Sequence, residues 1–97
     1  MRTVTWTRKA SFQLQEIYLY IADDSPQNAE KIILNVLSKA DDIVGKEEKY
    51  PIDKYRKNNK GDFRAFEIYR IRVSYQILEH EILIVRVRST SQKPLKY

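Results

Sequence analysis

Alternating apolar and polar positions predict four β-strands in this chain. Val4 and Trp6 alternate with polar neighbours, which is typical of a short strand near the start. After residue 62 the same two-residue period returns and continues almost to the end of the chain. Strands are therefore predicted at Phe63–Tyr69, Ile71–Ile77 and Ile82–Ser89.

Two amphipathic helices are predicted between the first and second strands. Apolar residues recur every three or four positions from Arg8 to Ala22, and again from Pro26 to Val44. Ser25 is a good N-cap for the second helix, and Gly45 is a typical residue just beyond a helix end. A short connection makes an antiparallel helical hairpin. The predicted fold is α+β with the order β-α-α-β-β-β, the hairpin packing on one face of a small, mainly antiparallel sheet.

The segment Lys46–Asp62 has almost no hydrophobic periodicity, so we predict a long irregular loop. It combines several basic side chains with two tyrosines, a composition that suits contacts with phosphates and bases. The alternative is a solvated loop whose tyrosines cover the edge of the core. The residues concerned are Lys54, Arg56, Lys57, Lys60, Tyr50 and Tyr55.

Length and composition limit the kinds of functional site that the chain can form. A chain of 97 residues makes one domain, predicted to span residues 1–97. It has no cysteine and a single histidine, His80, which excludes disulfides, cysteine nucleophiles and the usual multi-histidine metal sites. We therefore expect no metal and no cofactor. With neither a long apolar run nor a secretory leader, we also expect no membrane contact and a cytoplasmic location.

The charges are divided unevenly between the two halves of the chain. Residues 1–48 carry six basic and eight acidic side chains, whereas residues 49–97 carry twelve basic and five acidic ones. The net charge of +5 therefore belongs to the second half. Such asymmetry indicates an anionic partner, either nucleic acid or an acidic protein segment. A solvated basic surface that keeps the protein soluble is the alternative.

Keeping the apolar residues of the last hairpin on one face requires a particular strand register. Residues directly opposite each other in a hairpin share a face of the sheet. A three-residue turn, Glu79–Glu81, pairs Val73 with Val87 and Tyr75 with Val85. We accordingly expect alternate residues of the last strand to face the helices, namely Leu83, Val85 and Val87.

The same register sets Arg72 opposite Arg88 and Ser74 opposite Arg86 on the other face. A shift by two residues would set Arg72 against Arg86 instead, so two arginines face each other in either case. Directly opposed like charges are destabilising. Either an internal counter-ion, for which Glu67 is the candidate, or a docked anionic target should offset the repulsion. The candidate anion-binding residues are Arg70, Arg72, Arg86, Arg88, Lys54, Lys57 and Lys93.

Four segments together resemble the RelE/ParE superfamily of bacterial toxins from type II toxin–antitoxin systems. Val4–Ala10 and Tyr20–Pro26 are similar to the opening strand and hairpin of that family, and Ile71–Ile77 and Ile84–Ser89 to its later strands. The resemblance spans the whole chain. It implies a growth-inhibiting toxin that an acidic antitoxin neutralises.

The resemblance also implies roles for individual residues. Arg72 falls on the strand arginine with which mRNA-cleaving members hold RNA near the scissile phosphate, and Tyr97 lies near their C-terminal tyrosine. If the chain cleaves RNA, Arg72 and Arg88 would stabilise phosphate, while Tyr97 or Glu67 would handle protons. His80 is expected in a solvent-exposed turn, away from this set.

The segment Tyr20–Pro26 looks more like the ParE side of the superfamily, whose members poison DNA gyrase, and the nuclease residues are incomplete. Ile71 replaces the aromatic residue before the strand arginine, and Ser89 stands where many members have histidine. Gln92 and Lys93 lie where nucleases have a further arginine. The sequence thus favours a gyrase-binding toxin. Ribosome-dependent mRNA cleavage, which would make the chain an enzyme, and an inactive antitoxin-binding member are the alternatives.

Overall fold

A computed structural model describes residues 1–91 and confirms the β-α-α-β-β-β order. The strands are β1 (Thr3–Trp6), β2 (Phe63–Ile68), β3 (Ile71–Ile77) and β4 (Glu81–Ser89), and the helices are α1 (Arg8–Asp24) and α2 (Pro26–Asp42). A short 3₁₀ helix, Glu47–Lys49, follows α2.

The four strands form one sheet in the order β1-β4-β3-β2. β1 is parallel to β4, and the other two pairings are antiparallel. The hairpin of α1 and α2 packs on one face, where it closes the hydrophobic core. Fully buried residues from both layers meet there, including Ala10, Val36, Ala40, Val73, Tyr75, Ile82 and Ile84. Within residues 1–91 no helix has the length and apolar character needed to cross a membrane.

The two helices are joined more tightly than the sequence suggested. α1 continues to Asp24, two residues beyond the predicted end at Ala22, so Ser25 alone separates the helices. The Ser25 N–H donates to the Ile21 carbonyl at 2.9 Å, and its hydroxyl oxygen accepts from the Asn28 N–H at 3.2 Å. One residue thus caps both helices, which is why a longer interruption is unnecessary.

The predicted register of β3 and β4 holds over half of the hairpin and is wrong over the rest. Val73 pairs with Val87 as expected, but Tyr75 pairs with Ile84 instead of Val85. A β-bulge at this point inserts an extra residue into β4, which reverses the faces to which its side chains point. The buried residues of β4 are Ile82, Ile84 and Val87, so the expectation that Leu83 and Val85 face the helices is corrected.

The loop between α2 and β2 is ordered and passes around the outer edge of β2. Pro51–Asp53 runs beside that strand: the Asp53 N–H donates to the Phe63 carbonyl at 2.9 Å, and the Ala65 N–H donates to the Pro51 carbonyl at 3.1 Å. The Asn59 amide bonds to backbone groups of Asp53, Gly61 and Phe63 at 2.9–3.2 Å. These bonds bring the loop onto the sheet face opposite the helices.

Candidate functional site: the arginine face and the β4 groove

The sheet face opposite the helices carries Arg72, Arg86 and Arg88, and we call it the arginine face. The side chain of Arg72 is only 7% exposed. Its Nη2 lies 3.0 Å from Asp53 Oδ1, and its Nη1 lies 2.9 Å from Glu67 Oε2. Burial disfavours the guanidinium charge, but the bonds to the two carboxylates outweigh this and raise the pKa of Arg72. Two internal carboxylates thus neutralise its charge, while its buried Nε has no hydrogen-bond partner among the described residues.

Asp53 is the residue of this site that the sequence did not reveal. Its side chain is completely buried, and its Oδ1 also accepts the Tyr55 N–H at 3.1 Å. It lies just before a run of basic residues in a segment with no hydrophobic period, so no pattern marks it as an internal residue. Glu67, by contrast, was the predicted counter-ion, and it lies directly opposite Arg72 on β2.

Tyr55 covers the pair of opposed arginines. Arg72 and Arg88 are paired across β3 and β4, as the sequence predicted. Their guanidinium carbons lie 4.9 Å and 5.0 Å from the centre of the Tyr55 ring, within the range of cation–π attraction. Two carboxylates and one aromatic ring therefore offset the repulsion at this position. The other tyrosine of the loop, Tyr50, packs against the core, with its ring 6.0 Å from that of Phe66.

A groove, which we call the β4 groove, runs between α1 and the end of β4. β1 pairs with β4 only as far as Trp6 and Ile84, whereas β4 continues to Ser89. Beyond this point the Val87 N–H donates to the side-chain oxygen of Gln13 on α1, at 2.8 Å. The groove has a volume of about 670 Å³. It is lined by Gln13, Glu16, Ile17, Tyr20 and Ile21 on the helix and by Tyr69–Ile71 and Arg86–Ser89 on the sheet.

A strained turn closes one end of the β4 groove. Tyr69 and Arg70, between β2 and β3, both adopt the left-handed conformation, with φ of 52° and 60°. Asparagine and glycine are the usual residues in such a two-residue turn. The Tyr69 hydroxyl accepts from the Asn35 amide at 2.9 Å, and the Arg70 carbonyl accepts the Thr90 N–H at 2.8 Å. These contacts hold a conformation that a tyrosine and an arginine rarely adopt, with the Arg70 side chain exposed.

The candidate basic residues fall into separate groups. Arg70, Arg86 and Arg88 line the β4 groove together. Lys54 and Lys57 are exposed on the loop, and the Lys54 ammonium lies 5.2 Å from the centre of the Tyr55 ring. Two candidates, Lys93 and Tyr97, lie outside the described residues.

The lone histidine is remote from these groups. His80 lies in the turn between β3 and β4, as the sequence predicted, and its side chain is 89% exposed. A partner within reach is the equally exposed Glu79, at 3.6 Å. Among the described residues, the titratable groups close to the arginine face and the β4 groove are therefore arginine, lysine, tyrosine and carboxylate side chains.

A helical hairpin on a four-stranded mixed sheet, in the order β-α-α-β-β-β, is the fold that the resemblance to RelE/ParE superfamily toxins implied. The model of one family, described as "ParE toxin of type II toxin-antitoxin system, parDE", matches residues 4–94. The chain therefore belongs to the ParE toxin family, which confirms the resemblance seen in its sequence. As a member of a type II toxin–antitoxin family, it has an antitoxin as its partner.

Two solved structures share the fold. One, from the chromosomal ParDE TA system of P. aeruginosa, has a TM-score of 0.71 and 22% identity, covering 92% of this chain and 96% of that one. The other is the solution structure of the conserved hypothetical protein HP0894 from Helicobacter pylori. It has a TM-score of 0.50 and 20% identity, covering 95% of this chain and 98% of that one. A comparison with curated proteins found no match.

Proposed function

We propose that this toxin inhibits growth by binding DNA gyrase, the target of ParE toxins, and that it does not cut mRNA. The observation that carries this proposal is the internal pairing of Arg72 with Asp53 and Glu67. In the RNA-cleaving reading, this arginine must meet a phosphate. A gyrase-binding toxin needs only a surface, and Arg72 can then serve as an internal support for that surface.

The energetics favour the same assignment. To reach a phosphate, the Arg72 guanidinium would have to leave Asp53, whose side chain is completely buried. Removing one partner of a buried ion pair costs about 3–5 kcal/mol, because the other charge is left without compensation. A catalytic arginine is instead preorganised towards the place where negative charge develops. Arg72 is preorganised towards its own carboxylates.

The target can be identified by expressing the toxin without its antitoxin and following DNA breaks and mRNA integrity in the same culture. Purified toxin is then incubated with DNA gyrase, and supercoiling and cleaved DNA complexes are measured. We expect inhibited supercoiling and DNA breaks, with mRNA intact. Cleavage of mRNA on translating ribosomes with intact DNA would instead establish the RelE-like alternative. A folded toxin with no effect on growth would identify an inactive family member.

A double variant distinguishes a structural role of Arg72 from a catalytic one. The double substitution Arg72→Met with Asp53→Asn removes both buried charges, so neither is left unpaired. We expect this variant to fold and to inhibit gyrase as the wild type does. If the wild type cleaves mRNA and the folded double variant does not, the proposal is contradicted.

A further inference from the structure

We propose that the segment Lys54–Lys60, in the loop between α2 and β2, binds the phosphates of duplex DNA, the substrate of gyrase. We call this segment the lysine loop. Its role beside gyrase rests on the proposed function, whereas its affinity for DNA can be measured on the toxin alone.

The lysine loop keeps its lysines outside and the neighbouring carboxylate inside. Lys54, Lys57 and Lys60 recur at every third position, and all three are exposed. Within residues 51–61 the one acidic residue is Asp53, whose completely buried side chain is already paired inside the molecule. No carboxylate of that stretch therefore compensates the exposed lysines, and an anion that approaches the loop meets a cluster of cations.

The backbone of the lysine loop is ordered before any partner binds. The Asn59 amide oxygen accepts the N–H groups of Gly61 and Phe63, at 2.9 Å and 3.2 Å. Its amide nitrogen donates to the carbonyls of Asp53 and Phe63, at 3.1 Å and 2.9 Å. The guanidinium carbon of Arg56 lies 4.0 Å from the centre of the Phe63 ring, which ties the middle of the loop to β2. A segment that is already ordered loses less conformational entropy on binding.

The aromatic rings of the loop favour duplex DNA over single-stranded RNA. Proteins that hold single strands stack the bases on aromatic side chains. Tyr50 and Tyr55 are the aromatic residues of the segment 46–62, and neither is exposed. The Tyr50 ring packs against the core, and the Tyr55 ring lies against the guanidinium groups of Arg72 and Arg88. The structure thus supports the phosphate contacts that the sequence indicated for this loop, and not the base contacts.

The exposed surface of the lysine loop also favours DNA over an acidic protein segment. Protein partners usually anchor apolar or aromatic side chains in the centre of an interface. Residues 54–60 expose the three lysines and Asn58, and no apolar side chain. The phosphate backbone needs no such anchor, because DNA carries one negative charge per about 1.7 Å of its axis and releases counterions when lysines neutralise it.

Anisotropy of a fluorescent DNA duplex of about 20 base pairs, titrated with toxin at several salt concentrations, tests the loop without gyrase. We expect a Kd of about 1–100 µM, the range of sequence-independent binding. For the triple variant Lys54→Gln, Lys57→Gln, Lys60→Gln we expect at least about 30-fold weaker binding. Its slope of log affinity against log salt should be shallower by about two to three, since each phosphate contact contributes about 0.9. An unchanged slope would overturn the proposal.

A triple variant with the same loss of charge on the helices is the control. Arg8, Lys9 and Lys31 are exposed there, and changing all three to glutamine should weaken DNA binding less than about 3-fold. Circular dichroism checks that both variants fold. Equal losses in the two variants would overturn the proposal, because total charge alone would then explain the binding.

Two further probes identify the partner of the lysine loop. Single-stranded RNA and polyglutamate, each with as many negative charges as the duplex, are titrated in the same way. We expect both to bind more weakly than duplex DNA. Tighter binding of RNA, or of polyglutamate, would overturn the proposal in favour of an RNA or an acidic protein partner.

The lysine loop and the proposed function can fail separately. The affinities of the wild type and the loop variant are measured for gyrase with and without bound DNA. We expect both toxins to bind DNA-free gyrase equally, and the loop variant to bind the gyrase–DNA complex at least about 10-fold more weakly than the wild type. Equal affinities for that complex would overturn the DNA contact and leave gyrase as the target. A toxin that binds duplex DNA through this loop but does not bind gyrase would support the loop and refute the target.

Discussion

At the scale of single residues, Asp53 changes what is expected of Arg72. From the sequence alone, replacing the opposed arginines should preserve or raise stability, because it removes like charges. With Asp53 buried against Arg72, we now expect Arg72→Ala to lower the free energy of unfolding by about 3–5 kcal/mol. The Arg72→Met, Asp53→Asn double variant should lie within about 1.5 kcal/mol of wild type. Urea titrations measure both, and a loss below about 1 kcal/mol for Arg72→Ala would contradict the internal pairing.

At Arg70 we expect a single substitution to weaken antitoxin binding without lowering the stability of the fold. Its φ of 60° costs an arginine roughly 1 kcal/mol, and glycine adopts it freely. We expect Arg70→Gly to be as stable as wild type or up to about 1 kcal/mol more stable, yet to bind the antitoxin less tightly. Arg70→Lys keeps both charge and strain and is the matched control. A glycine variant that binds as well as wild type would show that the strained turn has no part in recognition.

At the scale of elements, the helices follow from the sequence and the last strand does not. Thr7 and Ser25 act as N-caps, and local caps of this kind place the helix ends to within two residues. Along Ile82–Val85 all four residues are apolar, so either register buries two of them, and periodicity cannot reveal the bulge. The bulge in β4 arises where that strand pairs with its neighbours, and the local pattern of residues does not record this pairing. The same holds for Asp53, whose role depends on a strand that follows it in the chain.

Glu47, at the start of the loop after α2, should make the stability of the protein depend on pH. Burial opposes the charge of Glu47, but backbone N–H bonds and Arg2 outweigh it and hold the pKa of Glu47 below its usual value. A lowered folded-state pKa stabilises the protein above the unfolded-state pKa of about 4.3, and this contribution is lost as the pH falls through the folded-state pKa.

In the Glu47→Gln variant, the free energy of unfolding should therefore depend less on pH in the acid range. We expect a loss of about 1–2 kcal/mol near neutral pH that shrinks as the pH approaches about 2. Urea unfolding across that range measures it, with the exposed neighbour Glu48→Gln as the control. A loss for Glu47→Gln that is equally large at every pH would mean that packing, and not the carboxylate charge, stabilises this point.

At the scale of the whole molecule, the charge asymmetry of the chain becomes an asymmetry of surfaces. The mostly helical first half carries a net charge of −2, and the second half, which forms the loop and three strands, carries +7. Arg72 contributes nothing to that surplus, since it is paired with two carboxylates, Asp53 and Glu67, of the same half. The surplus includes the exposed lysines of the loop and the arginines of the β4 groove. An acidic antitoxin should therefore approach the sheet side of the molecule first.

Association with the antitoxin should then depend on salt mainly through its on-rate. Between about 0.05 M and about 0.5 M salt we expect the on-rate to fall at least about 10-fold and the off-rate to change much less, because screening weakens steering more than close contacts. Lys57→Glu with Lys60→Glu, on the loop, should slow association more than Lys9→Glu with Lys31→Glu, on the helices; all four lysines are exposed. Stopped-flow measurements give both rates. Equal slowing by the two charge-matched pairs would mean that only total charge matters and that the sheet side does not guide the encounter.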